Sequence, residues 1–419
     1  MDCRVKPGND EGLGSGSDEA KNNVMPVLVT GIHVFVAVNS VCYRHGFSFE
    51  TEILLVRVLI NGLHAKSGGG VTYLRRILPV LAADPELEVS LCLHENQRSL
   101  FKDSIGDIGV HYARFKDGFY RRLLWEQSVL PFTARRLKAE VTFSPANFGP
   151  LTAPGPIILL RNALAVADED RRPMKRLYWA ALTFMTRASL LTCRRAIAVS
   201  AYAREALTEG VARRVLDRVT VIHHGVDGMF APPVPGYKRG DFLLCVGDIY
   251  IQKNLHNLVE ALSRVRDVFP DISLKVAGSF VDEDYGARVR GMIESAGLGD
   301  HVEFLGHIAA GDLVDLYRNC ALFVHPSTVE TFGNPPVEAM ACGAPVVSSN
   351  AAAMPEVLGD AALFFDPRDV GAMADSIILA LKDDVLRTRL SQKSIERARN
   401  FSWEETGRRT AQVIKDCVR

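Results

Sequence analysis

Residues 325–349, HPSTVETFGNPPVEAMACGAPVVSS, follow a short apolar run at 321–324 and pass from a polar loop through two prolines into a helical pattern. The apolar run reads as a buried strand. Pro336 suits the first turn of a helix, where a missing N–H costs little. Gly333 and Asn334 let the backbone approach a ligand closely, and the helix start presents free N–H groups with partial positive charge. Strand, glycine-bearing loop and helix start, in that order, make a phosphate site. Glu330 and Glu338 flank it at an E-x(7)-E spacing. A carboxylate normally repels phosphate, so two beside an anion site make sense as holders of hydroxyls, as of a ribose and a sugar ring. Glu338 taken alone also reads as a solvated first-turn glutamate favoured by the helix dipole.

A second stretch, VGDIYIQKNLHNLVEAL at 246–262, has the same form. A strand ends at Gly247, and Lys253 and Asn254 open a helix with Leu255, Leu258, Val259 and Leu262 on one face. Lys253 is placed there as a point charge for a diphosphate.

Outward from these stretches, short apolar runs alternate with longer amphipathic ones, the pattern of parallel sheets covered by helices. Strands are expected at 242–246, 273–277, 302–304, 321–324, 345–348 and 362–365. Pro232, Pro233, Pro235 and Gly236 mark a linker before this series. Ahead of the linker, strands are expected at 57–60, 89–93, 141–143, 157–160, 196–199 and 219–222, with a helix at 71–83. The fold class is therefore α/β, with two doubly wound Rossmann-like domains facing across a cleft where ligands sit. The boundaries read as 56–230, 231–400 and a closing helix at 401–419, signalled by Ser402 and Glu405 as a capping box.

Residues 1–55 do not share the pattern. Residues 1–23 are polar and Gly/Ser-rich, which predicts disorder. The apolar run at 24–38 is shorter than the ~20 residues a membrane helix needs. The domain pattern starts abruptly at Val56 with VRVLINGLHAKSGGG, so 1–55 reads as an extension foreign to the fold.

Formal charge balances at 49 basic against 49 acidic residues, which argues against nucleic acid as a bulk partner. The halves differ, however. Residues 56–220 hold 25 Lys/Arg and 15 Asp/Glu, so 25 − 15 = +10; residues 241–419 hold 18 and 26, so 18 − 26 = −8. Basic clusters at Arg121 and Arg122, at Arg135, Arg136 and Lys138, and at Arg194 and Arg195 are either solvated helix faces or a surface for an anionic lipid or acceptor. Eight cysteines without a CxxC pair read as reduced thiols of a cytoplasmic protein, at most at the inner face of a membrane. No metal-ligand spacing is present.

Over 56–419 the chain resembles the retaining glycosyltransferases of family four, with the GT-B fold. The resemblance is carried by SGGGVTYL (67–74), VSAYAREAL (199–207), VIHHGVD (221–227), VGDIYIQKNL (246–255), FLGHI (304–308), the 325–349 stretch and PEVLGDAALFFDP (355–367). It implies transfer of a hexose from a UDP- or GDP-type nucleotide-sugar, a co-substrate and not a cofactor. The acceptor would be a glycan or lipid-linked molecule on the N-terminal domain, in surface polysaccharide assembly. Lys253 would neutralise the leaving diphosphate and Glu330 would contact the donor sugar, the two catalytic positions. Glu338 would hold the ribose. Gly247, Asn254, Thr331, Phe332, Gly333 and Asn334 complete the donor side, and Gly69 and Gly70 let the N-terminal domain close on the phosphates. Arg161, Asn162 and Ser200 would line the cleft from the N-terminal side, and the final helix would return to that domain.

Two positions depart from the family. Asp248 stands where many members carry an Arg, which would leave Lys253 as the sole strong cation on the diphosphate. LLRNALAV (159–166) lacks a His common at that strand end. No metal is expected, since the acidic triplets at 168–170 and 282–284 lack partner signals. The alternatives are a nucleotide-sugar-binding subunit without turnover and a GT-B nucleotide-sugar epimerase.

Overall fold

The computed structural model describes residues 27–29, 32–34, 55–66, 68–162, 173–234 and 236–419. The expected disorder of 1–23, Ser67, Pro235 and the triplet at 168–170 lie outside the described residues. The chain forms two units, Met1–Glu52 and Ile53–Arg419. In the first, β1 (Val27–Val29) pairs antiparallel with β2 (Ile32–Val34).

The second unit contains two parallel sheets. One is built from β3 (Val56–Asn61), β4 (Leu87–His94), β5 (Gly109–Ala113), β6 (Val141–Ser144), β7 (Pro156–Leu160), β8 (Arg195–Ala198) and β9 (Val219–Val221), in the order β5-β4-β3-β6-β7-β8-β9. The other is built from β10 (Phe242–Val246), β11 (Ser273–Ala277), β12 (Val302–Gly306), β13 (Leu322–His325), β14 (Val346–Ser349) and β15 (Ala362–Phe365), in the order β12-β11-β10-β13-β14-β15. Central strands are apolar on both faces: Ile157, Leu159 and Leu160 are fully buried, as are Leu322, Phe323 and Val324. That is the signature of a sheet covered by helices on both sides. Strand order reverses between β3 and β6 and between β10 and β13. The loops after β3, β10 and β13 therefore open at the crevices where such sheets take ligands.

The expected strands are present, several one or two residues longer than their apolar runs. Strand β5, GVHYA, was not anticipated. It is an edge strand with only Ala113 buried, so it carries no continuous apolar run. The helix after β3 spans Gly68–Ala82 and starts three residues earlier than expected, because the glycines join its first turn.

The helix Trp403–Asp416 returns to the N-terminal sheet. Lys415 Nζ lies 3.0 Å from Asp84 Oδ2 and 3.1 Å from Glu86 Oε2, and Thr406 Oγ1 donates to the His223 carbonyl at 2.8 Å. Ser402 caps it, accepting from Glu405 N at 3.2 Å. The reciprocal half of the expected capping box is replaced: the Glu405 carboxylate pairs with Arg408 at 2.7 Å.

Candidate functional site

The strand order brings the loops after β3, β10 and β13 together around one cavity of about 830 Å³. Gly68 and Gly69 line it from the N-terminal sheet, and Asp248, Tyr250, Lys253, Asn334 and Glu338 line it from the other.

The 325–349 loop is shaped as its sequence suggests. Gly333 has φ of +87°, a conformation that calls for glycine, and a Cβ there would also press on the Met354 Cε methyl at 2.6 Å. It stands at the N-terminus of the helix Asn334–Ala341, with prolines in the first turn. Asn334 Oδ1 lies 3.2 Å from His224 Nδ1.

Lys253 and Glu330 form an ion pair, with each side chain only 16% exposed. Burial alone would raise the Glu330 pKa; the Lys253 charge, helped by His325 3.6 Å away, outweighs it and holds the carboxyl well below its ordinary value. Burial opposes the Lys253 charge in turn, and Glu330 more than offsets that, so both groups are held ionised. Gly247 leaves room for this lysine: a Cβ there would sit 3.2 Å from Lys253 Cε.

Glu338 faces different surroundings. Burial raises its pKa to about 7, and the hydrogen bond donated by Tyr317 OH to Oε2 at 3.0 Å opposes the rise only in part. A carboxyl poised near neutrality, with Oε1 still able to accept, will gain charge when hydroxyl donors arrive.

The cleft also holds basic groups that the sequence reading did not include. Lys66, Arg75 and Arg76 line it from the N-terminal side, so Lys253 is not the sole basic side chain there. Arg76 is ion-paired with Asp227, and Arg75 Nε donates to the Leu100 carbonyl at 2.6 Å. Asp248, at the position of the absent arginine, accepts from Ser279 N at 3.2 Å.

Several expected site residues lie elsewhere. Asn254 is buried in a left-handed conformation, φ +56°, and its amide donates to the Pro326 and Pro367 carbonyls at 3.0 and 2.7 Å. It ties the loops after β13 and β15 together and does not line the cleft. Phe332 is buried among His224, His223 and Phe401, with ring centroids 5.1, 5.9 and 5.6 Å away. Ser200 is fully buried: it caps the helix Ala201–Thr208 by accepting from Ala203 N at 2.9 Å, and donates to the Thr331 carbonyl at 2.5 Å. Thr331 Oγ1 donates to the Arg161 carbonyl at 2.5 Å. Ser200 and Thr331 thus latch the two domains at the glutamate loop. Glu356 adds to the latch, accepting from Ala201 N at 2.8 Å and Tyr202 N at 3.1 Å and meeting His223 Nε2 at 2.8 Å.

Arg161, Asn162 and Gly70 line a second, smaller cavity on the N-terminal sheet. His224 is packed between Tyr73 and Trp403 at 5.3 and 5.5 Å; burial first, then the Arg161 charge, push its pKa down to about 3, so it stays neutral. Among the described residues, no three His, Cys, Asp or Glu side chains are grouped to hold a metal ion, and the six described cysteines are free and buried.

The chain is 35% identical over 178 residues to the O-antigen chain mannosyltransferase B of Escherichia coli, a match covering 42% of this chain and 45% of that protein. The chain thus spans less than half the length of that relative. Sucrose-phosphate synthase of Thermosynechococcus elongatus superposes with a TM-score of 0.68 at 20% identity, covering 86% of this chain and 98% of that one. The Anabaena protein HepE, solved with UDP-glucose, superposes with a TM-score of 0.68 at 19% identity over 86% and 99% of the two chains. These two show a shared two-domain fold. The profile of Glycosyltransferase Family 4 matches residues 67–228, and that of Glycosyl transferases group 1 matches residues 232–397. Two profiles that tile both sheets, with the glutamate loop of the second seated against the glycine loop of the first, place this chain in glycosyltransferase family four.

Proposed function

We propose that the protein is a retaining, metal-independent glycosyltransferase, moving a hexose from a nucleoside-diphosphate sugar to a glycan or lipid-linked acceptor in surface polysaccharide assembly. The observation that carries this is Lys253, Asn334 and Glu338 on one cavity wall, facing Gly68 and Gly69. Lys253 and the N–H groups of the helix Asn334–Ala341 meet the diphosphate, Glu338 the ribose and Glu330 the sugar. The acceptor oxygen bonds to the anomeric carbon on the face from which the diphosphate departs. The bond from that carbon to the phosphate oxygen breaks, and the acceptor proton passes to the leaving phosphate. No protein nucleophile is required; charge developing on the diphosphate is what must be stabilised. The first relative, an O-antigen mannosyltransferase, supports the polysaccharide setting. No cofactor beyond the co-substrate is proposed, and the site is cytoplasmic in this reading.

A melting screen against UDP- and GDP-sugars tests it. The matching nucleotide-sugar at about a hundredfold excess over Kd stabilises by about 2.7 kcal/mol. If it binds only ionised Glu338, whose pKa is about 7, affinity is full above that value and falls as pH drops through it, about tenfold weaker at pH 6 than at pH 8. Glu338→Gln removes this pH dependence. A panel that leaves the melt unmoved at either pH overturns the proposal.

Membrane contact has its own support. Helix Phe119–Arg136 exposes Tyr120, Leu124 (70%) and Phe132 (67%); helix Pro173–Thr192 exposes Leu177, Phe184 (69%) and Leu191 (60%). The two helices meet through Phe119 and Tyr178, ring centroids 4.7 Å apart. They contain one acid, Glu126, which is turned inward and fully buried, while Arg121, Arg135, Arg136 and Arg187 are exposed. Apolar stripes edged by basic groups suit an anionic lipid surface, at about 1 kcal/mol per basic residue near it. No described helix is long and apolar enough to cross a membrane. Sedimentation with phosphatidylglycerol vesicles, lost at high salt and in the double variant Leu124→Glu, Phe184→Glu, is the expected result. Equal binding to phosphatidylcholine vesicles contradicts it.

A further inference from the structure

The Glu126 carboxylate is fully buried, yet the transfer mechanism gives it no part. It lies on the inward stripe of its helix with Leu130 and Ala134. Its Oε1 accepts from Asn61 Nδ2 at 2.9 Å and meets His64 Nε2 at 2.6 Å, and its Oε2 is 3.9 Å from Arg122 Nε. Asn61 ends β3, and its side chain also accepts from Leu63 N at 3.3 Å, fixing the turn that carries His64. Phe148 packs edge-on to His64 at 4.9 Å. His64 is thus oriented from three sides.

This ring borders the second cavity, of about 270 Å³, which is also lined by Gly70, Arg122, Asn147, Phe148, Arg161, Asn162 and Tyr178. The volume equals about nine waters, the size of one sugar ring. Its lining combines the aromatic residues Phe148 and Tyr178 with the amides and guanidiniums of Asn162, Arg122 and Arg161, a mixture that suits a ring with an apolar face and a hydroxyl edge. Burial lowers the His64 pKa, against an opposing pull from Glu126, so the imidazole is neutral. With Nε2 2.6 Å from the Glu126 carboxylate, Nδ1 is the nitrogen left to accept a hydrogen bond.

The cavity abuts the donor cleft. Gly69 lines the cleft and Gly70 the cavity, and the Arg161 guanidinium stands beside both, 3.4 and 3.1 Å from where their Cβ atoms would be. The wall between them therefore carries no side chain on the glycine side. We infer that this cavity holds one pyranose ring of the acceptor, with His64, set by Glu126, accepting the hydrogen bond of a ring hydroxyl. The assignment rests on the transferase reading and supplies its acceptor subsite, in the domain that lacks the family's usual histidine.

The test uses methyl α-mannopyranoside and methyl α-glucopyranoside as probes, with saturation-transfer NMR on the full chain in the presence of UDP or GDP. Ring protons of one probe are expected to show contact. Its binding should weaken at least tenfold in His64→Ala and in Asn162→Ala, which alters the cavity lining at a second residue. The nucleotide-induced melting shift should persist in both variants, showing that the fold and the donor cleft are intact. Equal probe binding in wild type and variants overturns the assignment, as does absence of probe binding where nucleotides still raise the melt. Probe binding with no nucleotide effect keeps the cavity assignment and strikes the donor reading instead.

Discussion

Lys253→Ala is expected to lower kcat by about 100- to 1000-fold while changing donor KM only a few-fold. In the proposed complex, helix N–H groups and neighbouring basic side chains share the ground-state charge of the diphosphate with Lys253. As the glycosidic bond stretches, negative charge concentrates on the phosphate oxygen. Lys253, with its stem over Gly247 and its ammonium on Glu330, is the fixed cation at that end of the cleft. The Glu330 pairing also orients the lysine before substrate arrives, so little reorganisation is needed at the moment of reaction. Steady-state kinetics on purified protein separate the two parameters. A raised KM with kcat unchanged would mean that Lys253 serves binding alone. Lys253→Arg keeps the charge but not the compact ammonium, and should recover only part of the rate.

Gly225→Ala is expected to destabilise the protein by about 3 kcal/mol or more, at the top of the range for overpacking. A Cβ at this position would lie 2.2 Å from Trp403 N and 2.5 Å from the Ser402 carbonyl carbon. Both are backbone atoms at the start of the C-terminal helix and cannot swing aside as a side-chain end can. Val226 bridges to Ser402 in parallel, and its N–H donates to the Phe401 carbonyl at 3.1 Å, so the strain falls on the seam between the interdomain crossover and that helix. Thermal melting measures the loss. A melt within a degree of wild type would show that the seam yields freely. Gly228→Ala, where a Cβ meets nothing within 4 Å, is the matched control.

The sheets were legible in the sequence because buried parallel strands read as uninterrupted apolar runs, and Phe242–Val246, Ser273–Ala277 and Ala362–Phe365 fall where the runs do. Edge strand β5 escaped for the converse reason. In the candidate site, Lys253, Asn334 and Glu338 line the cavity where local chemistry suggests it: a glycine with positive φ before a helix opened by prolines, and a lysine at a strand end. Asn254 and Phe332 were adjacent in sequence to such positions, but their side chains, like that of Ser200, turn towards partners 69 or more residues away. Local pattern carries no record of those partners. Asn254 had one available sign, since asparagine tolerates the left-handed region better than most residues. Glu126 had another: with Leu130 and Ala134 it forms an i, i+4, i+8 series, and a carboxylate on an apolar stripe calls for a partner. His64 gave no sign, because its role depends on a carboxylate 62 residues downstream (126 − 64 = 62).

The contacts of Ser200 and Thr331 have a reach beyond the bonds themselves. The loop proposed to hold the sugar-nucleotide is also the hasp between the two sheets, so on that reading ligand affinity and interdomain angle draw on the same free energy. By reciprocity, whatever holds the sheets together tightens the grip on the nucleotide, and whatever occupies the loop resists their parting by the same amount. A substitution on the N-terminal side of the hasp, such as Ser200→Ala, should therefore register as a change in nucleotide affinity.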